Sequence, residues 1–493
     1  CGDAHTVNEG EVLIYKFNIF LLLFMLISTF ISIQNHGKQM NLFAELALTP
    51  EGWAKNVRVT VDQIGRIAAV ESGVEANPDD QYLRNRILLP ALANLHSHSF
   101  QRAMSGLTEK RLQKRDSFWS WRELMYSFLE RLTPEQMEAI AALVFMEMLE
   151  CGYASVGEFH YVHHQCGGQH YENIAETSCR VIRAAQKAGI GLTHLPVLYT
   201  QGGLNGKALA DGQLRFGNKS DKFFELLEHA EAALRNAPED YLLGIAPHSL
   251  RAVSPESLKE IIEARTSGPV HIHIAEQLKE VDDVFENYGA RPVEWLLQNV
   301  NVDSRWCLIH ATHMIQAETR NVAKSGAVVG LCPITEANLG DGVFDGSELL
   351  SSGGKYGIGS DSNVFIALTE ELRLLEYSQR LALKRRNVMT SKSGSVGSAL
   401  YKDALAGGAQ ALERKSGSLS PGNWADFLTL NAEALSLWGC SDDEFLDRWI
   451  FTADDSLVCE VWSAGRQMVS HGQHIHHQEI EQRYRTVIQE IQK

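Results

Sequence analysis

The sequence lacks the cysteine pattern of a disulfide framework. Its eight cysteines include no CxxC pair and no regular spacing, which is typical of reduced thiols in a cytoplasmic protein. A basic face is missing too, because 45 Lys and Arg residues stand against 61 Asp and Glu residues and the formal net charge is −16. This balance argues against a nucleic-acid partner, and an anionic substrate would need its own cationic pocket.

Internal repeats and low-complexity tracts are also absent. The 493 residues are 44% hydrophobic and 22% charged, which is the composition of an ordinary globular protein and excludes a disordered or fibrous chain. This length is sufficient for one large domain and a smaller one.

The N-terminal segment differs from the rest of the chain. Residues 17–33, FNIFLLLFMLISTFISI, are long and apolar enough for a signal-type or membrane segment. Acidic residues precede this run where a signal peptide has basic ones, and Met40 opens a stretch typical of the start of a folded protein. We predict that residues 1–39 are extraneous, with a signal or membrane anchor as the alternative, and that the folded part contacts no membrane.

Short strands and turns are predicted for residues 40–90. Valines alternate with other residues up to a turn near Gly65, and the pattern resumes beyond it, which indicates a β-hairpin. Strand-like segments return near the C-terminus and are followed by a polar helix at about 478–492. We predict one small β-sandwich built from both chain ends, residues 40–90 and 408–493.

Residues 91–407 have a different pattern, in which eight apolar runs alternate with helix-like stretches. One such stretch carries Pro134 near its start and Gly152 just after its end, positions that these residues favour at helix termini. Strands and helices alternating in this number predict a (β/α)₈ barrel of the TIM type, and therefore an α/β protein.

Polar residues follow most of the predicted barrel strands, and a parallel barrel collects its chemistry at the C-terminal ends of its strands. Two histidines in an HxH pattern can form half of a metal site or can be ordinary polar residues at a strand end. Repetition at strand after strand favours a functional site. The residues are His96 and His98 (strand one), Glu158, His160, Tyr161, His163 and His164 (two), His248 and Arg251 (four), His271, His273 and Glu276 (five), His310 and His313 (six), and Asp361 (eight).

These strand ends resemble the amidohydrolase superfamily over about residues 40–480. The motifs HSH, HIHIAE, LIHATH and GIGSDSN stand in the order of that superfamily. The resemblance implies a single divalent metal, with Zn²⁺ favoured over iron. The implied ligands are His96, His98, His273 and Asp361.

His271 is an alternative to His273, although the HxxE spacing favours His273. Two-metal members of the superfamily bridge their metals with a modified lysine, and neither GIGLTHLPVLY nor YLLGIAPHSL contains one. A mononuclear, deaminase-type site is therefore implied. Such a site leaves a coordination position for water, and bound Zn²⁺ lowers the pKa of that water to about 7. Glu276, His310 and Asp361 are the candidate catalytic groups for proton transfer to the leaving nitrogen.

Longer motifs resemble the formimidoylglutamate deiminases, which hydrolyse N-formimino-L-glutamate to N-formyl-L-glutamate and ammonia in histidine degradation. The motifs are NLHSHSFQRAMSGLTE, SFWSWRELMY, EFHYVHH and PHSLRAVSP. A small dicarboxylate ligand is then implied, and arginine forks bind carboxylates in bidentate fashion. The implied substrate-binding residues are Gln101, Arg122, Tyr161, His248 and Arg251.

Other interpretations remain open at the level of sequence. Arg122 also fits an exposed helix position, and Arg251 fits a salt bridge in a loop. A deaminase of a guanine-like or cytosine-like heterocycle would keep the metal site but need flat aromatic walls without paired arginines. A non-catalytic scaffold would have lost metal ligands. The resemblance adds the expectation of a homodimer.

Overall fold

The computed structural model describes residues 39–110, 118–390 and 394–492. None of the helices in these ranges is both long and apolar enough to cross a membrane. The predicted extraneous or anchor-like segment, residues 1–39, lies outside the described residues apart from its last position.

The strands, in chain order, are β1 (Met40–Thr49), β2 (Gly52–Val61), β3 (Ile67–Glu71), β4 (Gln81–Pro90), β5 (Leu92–Ser97), β6 (Tyr153–His160), β7 (Gly191–Leu198), β8 (Leu242–Leu243), β9 (Ala246–Pro247), β10 (Val270–Ile274), β11 (Trp306–His310), β12 (Val328–Leu331), β13 (Lys355–Ile358), β14 (Phe427–Asn431), β15 (Val458–Ser463), β16 (Arg466–Ser470) and β17 (Gln473–His474). The α-helices are α1 (Phe118–Leu129), α2 (Pro134–Glu150), α3 (Glu176–Ala188), α4 (Ser220–Leu234), α5 (Pro255–Ala264), α6 (Leu278–Tyr288), α7 (Pro292–Asn299), α8 (Gln316–Ser325), α9 (Pro333–Leu339), α10 (Gly346–Ser351), α11 (Leu368–Leu383), α12 (Val396–Ala411), α13 (Glu444–Thr452) and α14 (His477–Ile491).

Strands from both chain ends join in one eight-stranded sheet, in the order β17-β16-β15-β14-β4-β1-β2-β3. β2 and β3 pair in antiparallel fashion, which confirms the predicted hairpin. The turn of this hairpin meets the β15–β16 turn so closely that a Cβ on Gly65 would lie 2.1 Å from the carbonyl oxygen of Ala464. Buried apolar residues of β1, β2, β4, β14 and β15 share one core. The two chain ends therefore build a common flanking domain.

The barrel is closed by parallel pairing. β5, β6, β7 and β8 form one run of neighbours, and β10, β11, β12 and β13 form the other. Parallel bridges from Ile245 to Val270 and from Ser97 to Asp361 join the two runs on either side. The predicted (β/α)₈ arrangement is therefore present, with its C-terminal strand ends gathered at one mouth.

The fourth barrel strand is interrupted, although the sequence shows one continuous apolar run there. Its two short pieces, β8 and β9, flank Gly244 and Ile245. A Cβ on Gly244 would lie 2.7 Å from the Pro269 carbonyl oxygen. The segment just before β10 therefore approaches the backbone of the fourth strand closely at this point. Pro247 in β9 also lacks the N–H needed to continue a regular ladder.

Helix α2 matches its sequence signals. Thr133 and Gln136 form a capping box, and Pro134 lies at the first helical position, where its missing N–H costs nothing.

Helix α12, which follows the last barrel strand in the sequence, crosses the predicted domain boundary between residues 407 and 408. Gly407 packs there against the backbone of Tyr356 in β13, with no room for a Cβ.

Candidate active site

Four side chains from three barrel strand ends converge at the mouth. The Nε2 atom of His273 lies 3.1 Å from Nε2 of His96 and 3.3 Å from Nε2 of His98. Oδ1 of Asp361 lies 3.4 Å from the His96 Nε2 and 3.2 Å from the His98 Nε2. Ligand atoms about 2.0–2.1 Å from a tetrahedral ion are separated by about 3.3–3.4 Å. The donor set and its spacing fit one small divalent cation.

Backbone carbonyls orient two of these imidazoles. Nδ1 of His98 lies 2.8 Å from the carbonyl oxygen of Phe159, and Nδ1 of His273 lies 3.2 Å from that of His248. A carbonyl oxygen only accepts hydrogen bonds, so each Nδ1 donates and each Nε2 is left with its lone pair. This arrangement is the one that metal-ligating histidines use.

The protonation states also fit a metal site. Burial lowers the pKa of His96 to about 3 and also lowers the pKa values of His98 and His273. Burial opposes ionisation of Asp361, but the imidazoles of His96 and His98 outweigh it and hold the pKa of Asp361 below its usual range. Neutral imidazoles and an ionised carboxylate are the forms that bind metals.

Glu276 and His310 lie beside this cluster. The His310 Nε2 is 3.9 Å from Oε1 of Glu276 and 3.9 Å from Oδ2 of Asp361. Burial raises the pKa of Glu276, and the charges of His310 and Arg251 oppose that rise. Burial also disfavours a charged His310, yet the carboxylates of Glu276, Glu336 and Asp361 outweigh it and raise the pKa of His310 to about 10. The pair offers one proton acceptor and one donor.

One cavity above the cluster brings together the residues predicted as metal ligands, catalytic groups and substrate-binding groups, and of these only His96 does not line it. Its lining combines polar and charged groups with a few apolar side chains. The lining residues are His98, Gln101, Phe118, Trp121, Arg122, Met125, Tyr161, His248, Arg251, His273, Glu276, His310, Leu339 and Asp361.

Arg251 lies in a turn and forms long ion pairs there, but it is not a surface group. The residue is buried, and its Nη2 lies 3.6 Å from Oε2 of Glu276 while its Nε lies 3.7 Å from Oε2 of Glu280. Both contacts exceed hydrogen-bonding distance. The guanidinium therefore keeps donors for a ligand.

Arg122 is not the exposed helix residue that one interpretation allowed. It lies in α1 and donates hydrogen bonds to the phenol oxygens of Tyr126 and, at 2.9 Å, Tyr199. The ring centroid of Trp119 is 5.7 Å from the guanidinium carbons of both Arg122 and Arg251. The two arginines therefore flank one aromatic ring, at a distance where cation–π attraction operates.

Gln101, Tyr161 and His248 complete this wall. The Gln101 Nε2 donates to the Tyr161 oxygen at 2.8 Å. The rings of Tyr161 and His248 lie 5.9 Å apart, and Nδ1 of His248 lies 3.0 Å from the Ser249 hydroxyl. Within the described ranges, the buried Gln101 Oε1 has no hydrogen-bond partner.

Several strand-end residues lie outside the site. Nε2 of His160 bonds Thr177, Nε2 of His163 bonds the Val197 carbonyl, and Nε2 of His164 bonds the Gly217 carbonyl and Asn218, while Glu158 accepts from Ser99. Nε2 of His271 lies 2.8 Å from the Ala411 carbonyl oxygen, away from the cluster. His271 is therefore not part of the group formed by His96, His98, His273 and Asp361.

Two residues at the site were missed from sequence. Tyr199 follows β7, and Glu336 follows β12. Strands three and seven carried no candidate in the sequence, because neither is followed at once by histidine or by a charged pair. Tyr199 follows its strand directly but is not a histidine, and Glu336 lies five residues beyond β12, so the pattern at the strand ends gave no signal for either residue.

The sequence of the chain matches known protein families. The amidohydrolase family model matches residues 87–468, and the model of the N-terminal domain of formimidoylglutamate deiminase HutF matches residues 39–83. The chain belongs to the amidohydrolase family. Within the family, it is 49% identical over 435 residues to formimidoylglutamate deiminase from Pseudomonas aeruginosa, covering 88% of this chain and 95% of that protein. The chain therefore groups with the formimidoylglutamate deiminases.

Solved structures agree on the fold. An amidohydrolase from Brucella melitensis superposes with a TM-score of 0.88 at 47% identity, covering 92% of this chain and all of that one. An adenosine deaminase from Xanthomonas campestris with bound zinc gives 0.76 at 20% identity, covering 93% of this chain and 99% of that one. At that identity the second likeness concerns the fold alone.

Proposed function

We propose that this protein hydrolyses the C=NH bond of N-formimino-L-glutamate to give N-formyl-L-glutamate and ammonia, as a step of histidine degradation. One observation carries the proposal. One cavity is lined by three members of the cluster whose spacing fits a divalent cation, by the acid–base pair Glu276 and His310, and by two buried or half-buried arginines. The 49% identity to a formimidoylglutamate deiminase supports the same reaction.

His96, His98, His273 and Asp361 would hold one divalent metal, and the donor set of three imidazoles and one carboxylate favours Zn²⁺. A bound divalent metal lowers the pKa of a water molecule and supplies the nucleophile at neutral pH. The remaining chemistry belongs to the protein side chains. A C–O bond forms, the C–N bond breaks, and the departing nitrogen needs a proton to leave as ammonia.

Glu276 is the proposed proton carrier between water and the departing nitrogen. Asp361 is committed to the cation cluster, and Nδ1 of His310 is committed to Glu336. The carboxylate of Glu276, by contrast, accepts no hydrogen bond from the described residues and lines the cavity. His310 would stabilise negative charge at the reacting centre through its Nε2 proton.

The opposite wall is proposed to bind the two carboxylates of the substrate. Arg122 and Arg251 supply the positive charge that a dianion needs in a protein of net charge −16. Gln101, Tyr161 and His248 line the same wall and would add uncharged donors. This pattern favours a small dicarboxylate over a flat, neutral heterocycle.

The proposal extends to the setting of the enzyme. Of the eight cysteines, the seven in the described part of the chain are all free thiols, which supports a cytoplasmic location. The family resemblance supports a homodimer, and the shared core of the two chain ends supports a β-sandwich for the flanking domain. The net negative charge supports a small-molecule ligand and no nucleic acid.

Ammonia release from a panel of substrates tests the proposal. Purified enzyme loaded with Zn²⁺ is offered N-formimino-L-glutamate, formimino derivatives of other amino acids, guanine and cytosine. We expect turnover of N-formimino-L-glutamate with kcat/KM well above the rest. Turnover confined to a nucleobase would replace the proposal with a heterocycle deaminase.

A further inference from the structure

Glu336 lies directly behind His310, on the side away from the cavity. Its Oε1 atom is 3.2 Å from Nδ1 of His310. Both side chains are buried, with exposed fractions of 9% for Glu336 and 1% for His310. The opposite nitrogen of the ring, Nε2, faces Glu276 and Asp361.

The Glu336 carboxylate is itself held in place. It projects from α9, and the same Oε1 accepts a hydrogen bond of 2.9 Å from the backbone N–H of Cys332, just before that helix. One oxygen atom therefore joins the start of α9 to the ring of His310. A partner fixed at two points restricts the rotation of the ring more than a partner on a mobile side chain would.

The backbone at His310 departs from regular strand geometry, so the strand alone does not fix the orientation of the imidazole ring. His310 and Ala311 have φ angles of +65° and +50°, in the left-handed region that residues with a Cβ rarely adopt. β11 thus ends in a sharp turn, and the backbone there does not follow the regular strand geometry. An imidazole has two distinct nitrogens, and a hydrogen bond at one decides which nitrogen faces the reaction.

We propose that Glu336 is a positioning residue for the reaction, which accepts the Nδ1 hydrogen of His310 and thereby turns Nε2 toward the substrate. The inference rests on the proposed function, because it assigns Glu336 a part in the reaction at that site. Glu336 touches neither the substrate cavity nor the cation cluster among the described residues. It therefore acts through His310.

The alternative role for Glu336 is purely structural. Its bond to the Cys332 N–H satisfies a backbone donor at the start of α9. Glu371 offers a matched comparison, because it is fully buried and accepts a hydrogen bond of 2.9 Å from the N–H of Ile334 on the same helix. Glu371 makes no hydrogen bond to His310.

The test compares Glu336→Met, Glu336→Gln and Glu371→Met as metal-loaded full-length enzymes, with metal content measured for each. We expect Glu336→Met to lower kcat by roughly 10–100-fold with KM changed by less than about twofold, since the arginines that bind the substrate are untouched. Glu336→Gln should recover most of kcat, because the Cys332 N–H holds the amide oxygen where His310 needs an acceptor. Glu371→Met should keep the parental kcat per bound metal.

A double-mutant cycle with His310→Asn excludes a structural explanation. If Glu336 acts through His310, adding Glu336→Met to His310→Asn lowers kcat no further. Fully additive losses, or a Glu336→Met variant that loses no more kcat than Glu371→Met, would overturn the inference.

If Glu336→Met does not fold, a Glu336→Gln variant with parental kcat and a shifted His310 nitrogen resonance supports the inference, and an unshifted resonance contradicts it. The kcat and KM of each variant are compared with those of the parent enzyme on the substrate that the parent turns over. A parent enzyme inactive on N-formimino-L-glutamate would contradict the proposed function, and the role of Glu336 would still be measured on the substrate that is turned over.

Discussion

Glu276 is the single side chain on which the proposed chemistry depends most. Its Oε2 lies 3.6 Å from a guanidinium nitrogen of Arg251, and its Oε1 lies 3.9 Å from Nε2 of His310. Two positive partners keep the carboxylate in place while burial raises its pKa. A carboxylate in that condition accepts and returns a proton more readily than a solvated one.

Glu276→Gln should therefore keep binding but lose turnover. The amide has nearly the same shape and cannot carry the proton, so we expect kcat to fall by roughly 10²–10⁴-fold with little change in bound metal. Steady-state kinetics and metal analysis check this, with the exposed Glu260→Gln as control. A near-parental kcat in the Glu276→Gln variant would mean that Glu276 has only a structural role.

Arg122 and Arg251 are the residues proposed to bind the two carboxylates of the substrate. Replacing either by Met removes a charged hydrogen bond worth about 1.5–3 kcal/mol, which corresponds to roughly a 10- to 150-fold loss in kcat/KM. The loss should shrink for a formimino amino acid that lacks the matching carboxylate, because no partner is then left unpaired. Arg235→Met, at an exposed position, is the control. Equal losses in kcat/KM on both substrates would mean that the arginines support the fold and do not bind the substrate carboxylates.

Among the elements of the barrel, α12 packs against β13 and β5. Its Gly407 lies so close to the Tyr356 carbonyl oxygen that an added Cβ would be 1.8 Å away. In an ordinary helix interior, alanine is more stable than glycine by about 1 kcal/mol. Here the sign reverses, because a methyl group cannot fit without moving β13.

Gly407→Ala should lower the free energy of unfolding by about 1–3 kcal/mol, as overpacking does elsewhere. Urea or thermal unfolding measures the change. The reverse substitution at the exposed neighbouring position, Ala406→Gly, should cost only about 1 kcal/mol. A stabilised Gly407→Ala variant would show that the helix can move away from the strand.

Elements were predictable from sequence where the pattern of side chains alone decides the conformation. The start of α2 at Pro134 and the hairpin of β2 and β3 are of this kind. The break in the fourth barrel strand was not predictable, because it follows from the approach of Pro269 to Gly244. Glu336 was missed for a similar reason, since only the packing of α9 on the barrel brings it to His310.

At the scale of the whole molecule, the site lies on a barrel with its own large core. A continuous cluster of buried apolar residues extends through the barrel strands and their helices and into the flanking sheet. The group of His96, His98, His273 and Asp361 contributes only four side chains, at one mouth of the barrel. The fold therefore has a source of stability that is independent of the metal.

Chelation should abolish turnover while leaving the secondary structure intact. We expect unchanged far-ultraviolet circular dichroism and a modest fall in Tm, since a ligand that binds only the folded state adds stability by mass action. Adding back Zn²⁺ should restore activity at one ion per chain, as metal analysis would show. Global unfolding on chelation would contradict a structurally independent site.

The barrel could be predicted from the alternation of strands and helices, and the convergence of His96, His98, His273 and Asp361 from the resemblance of the strand-end motifs to the amidohydrolase family. The sequence could not separate His271 from His273 by strand parity alone. The structure separates them, since His271 bonds the Ala411 carbonyl and His273 meets His96. Alternation along a strand tells only which face a side chain occupies, and His271 and His273 share one face of β10. The position along the strand decides which of the two histidines lies at the mouth of the barrel.

The proposed reaction is tested most directly by analysing the products formed when N-formimino-L-glutamate is incubated with the Zn²⁺-loaded enzyme. We expect one N-formyl-L-glutamate and one ammonia per substrate consumed, with the loss of both products in Glu276→Gln and a large drop in kcat/KM in Arg251→Met. Formamide and glutamate as products would place the cleavage at the other C–N bond. That result, or no turnover beside efficient deamination of a nucleobase, would contradict the assignment of this site.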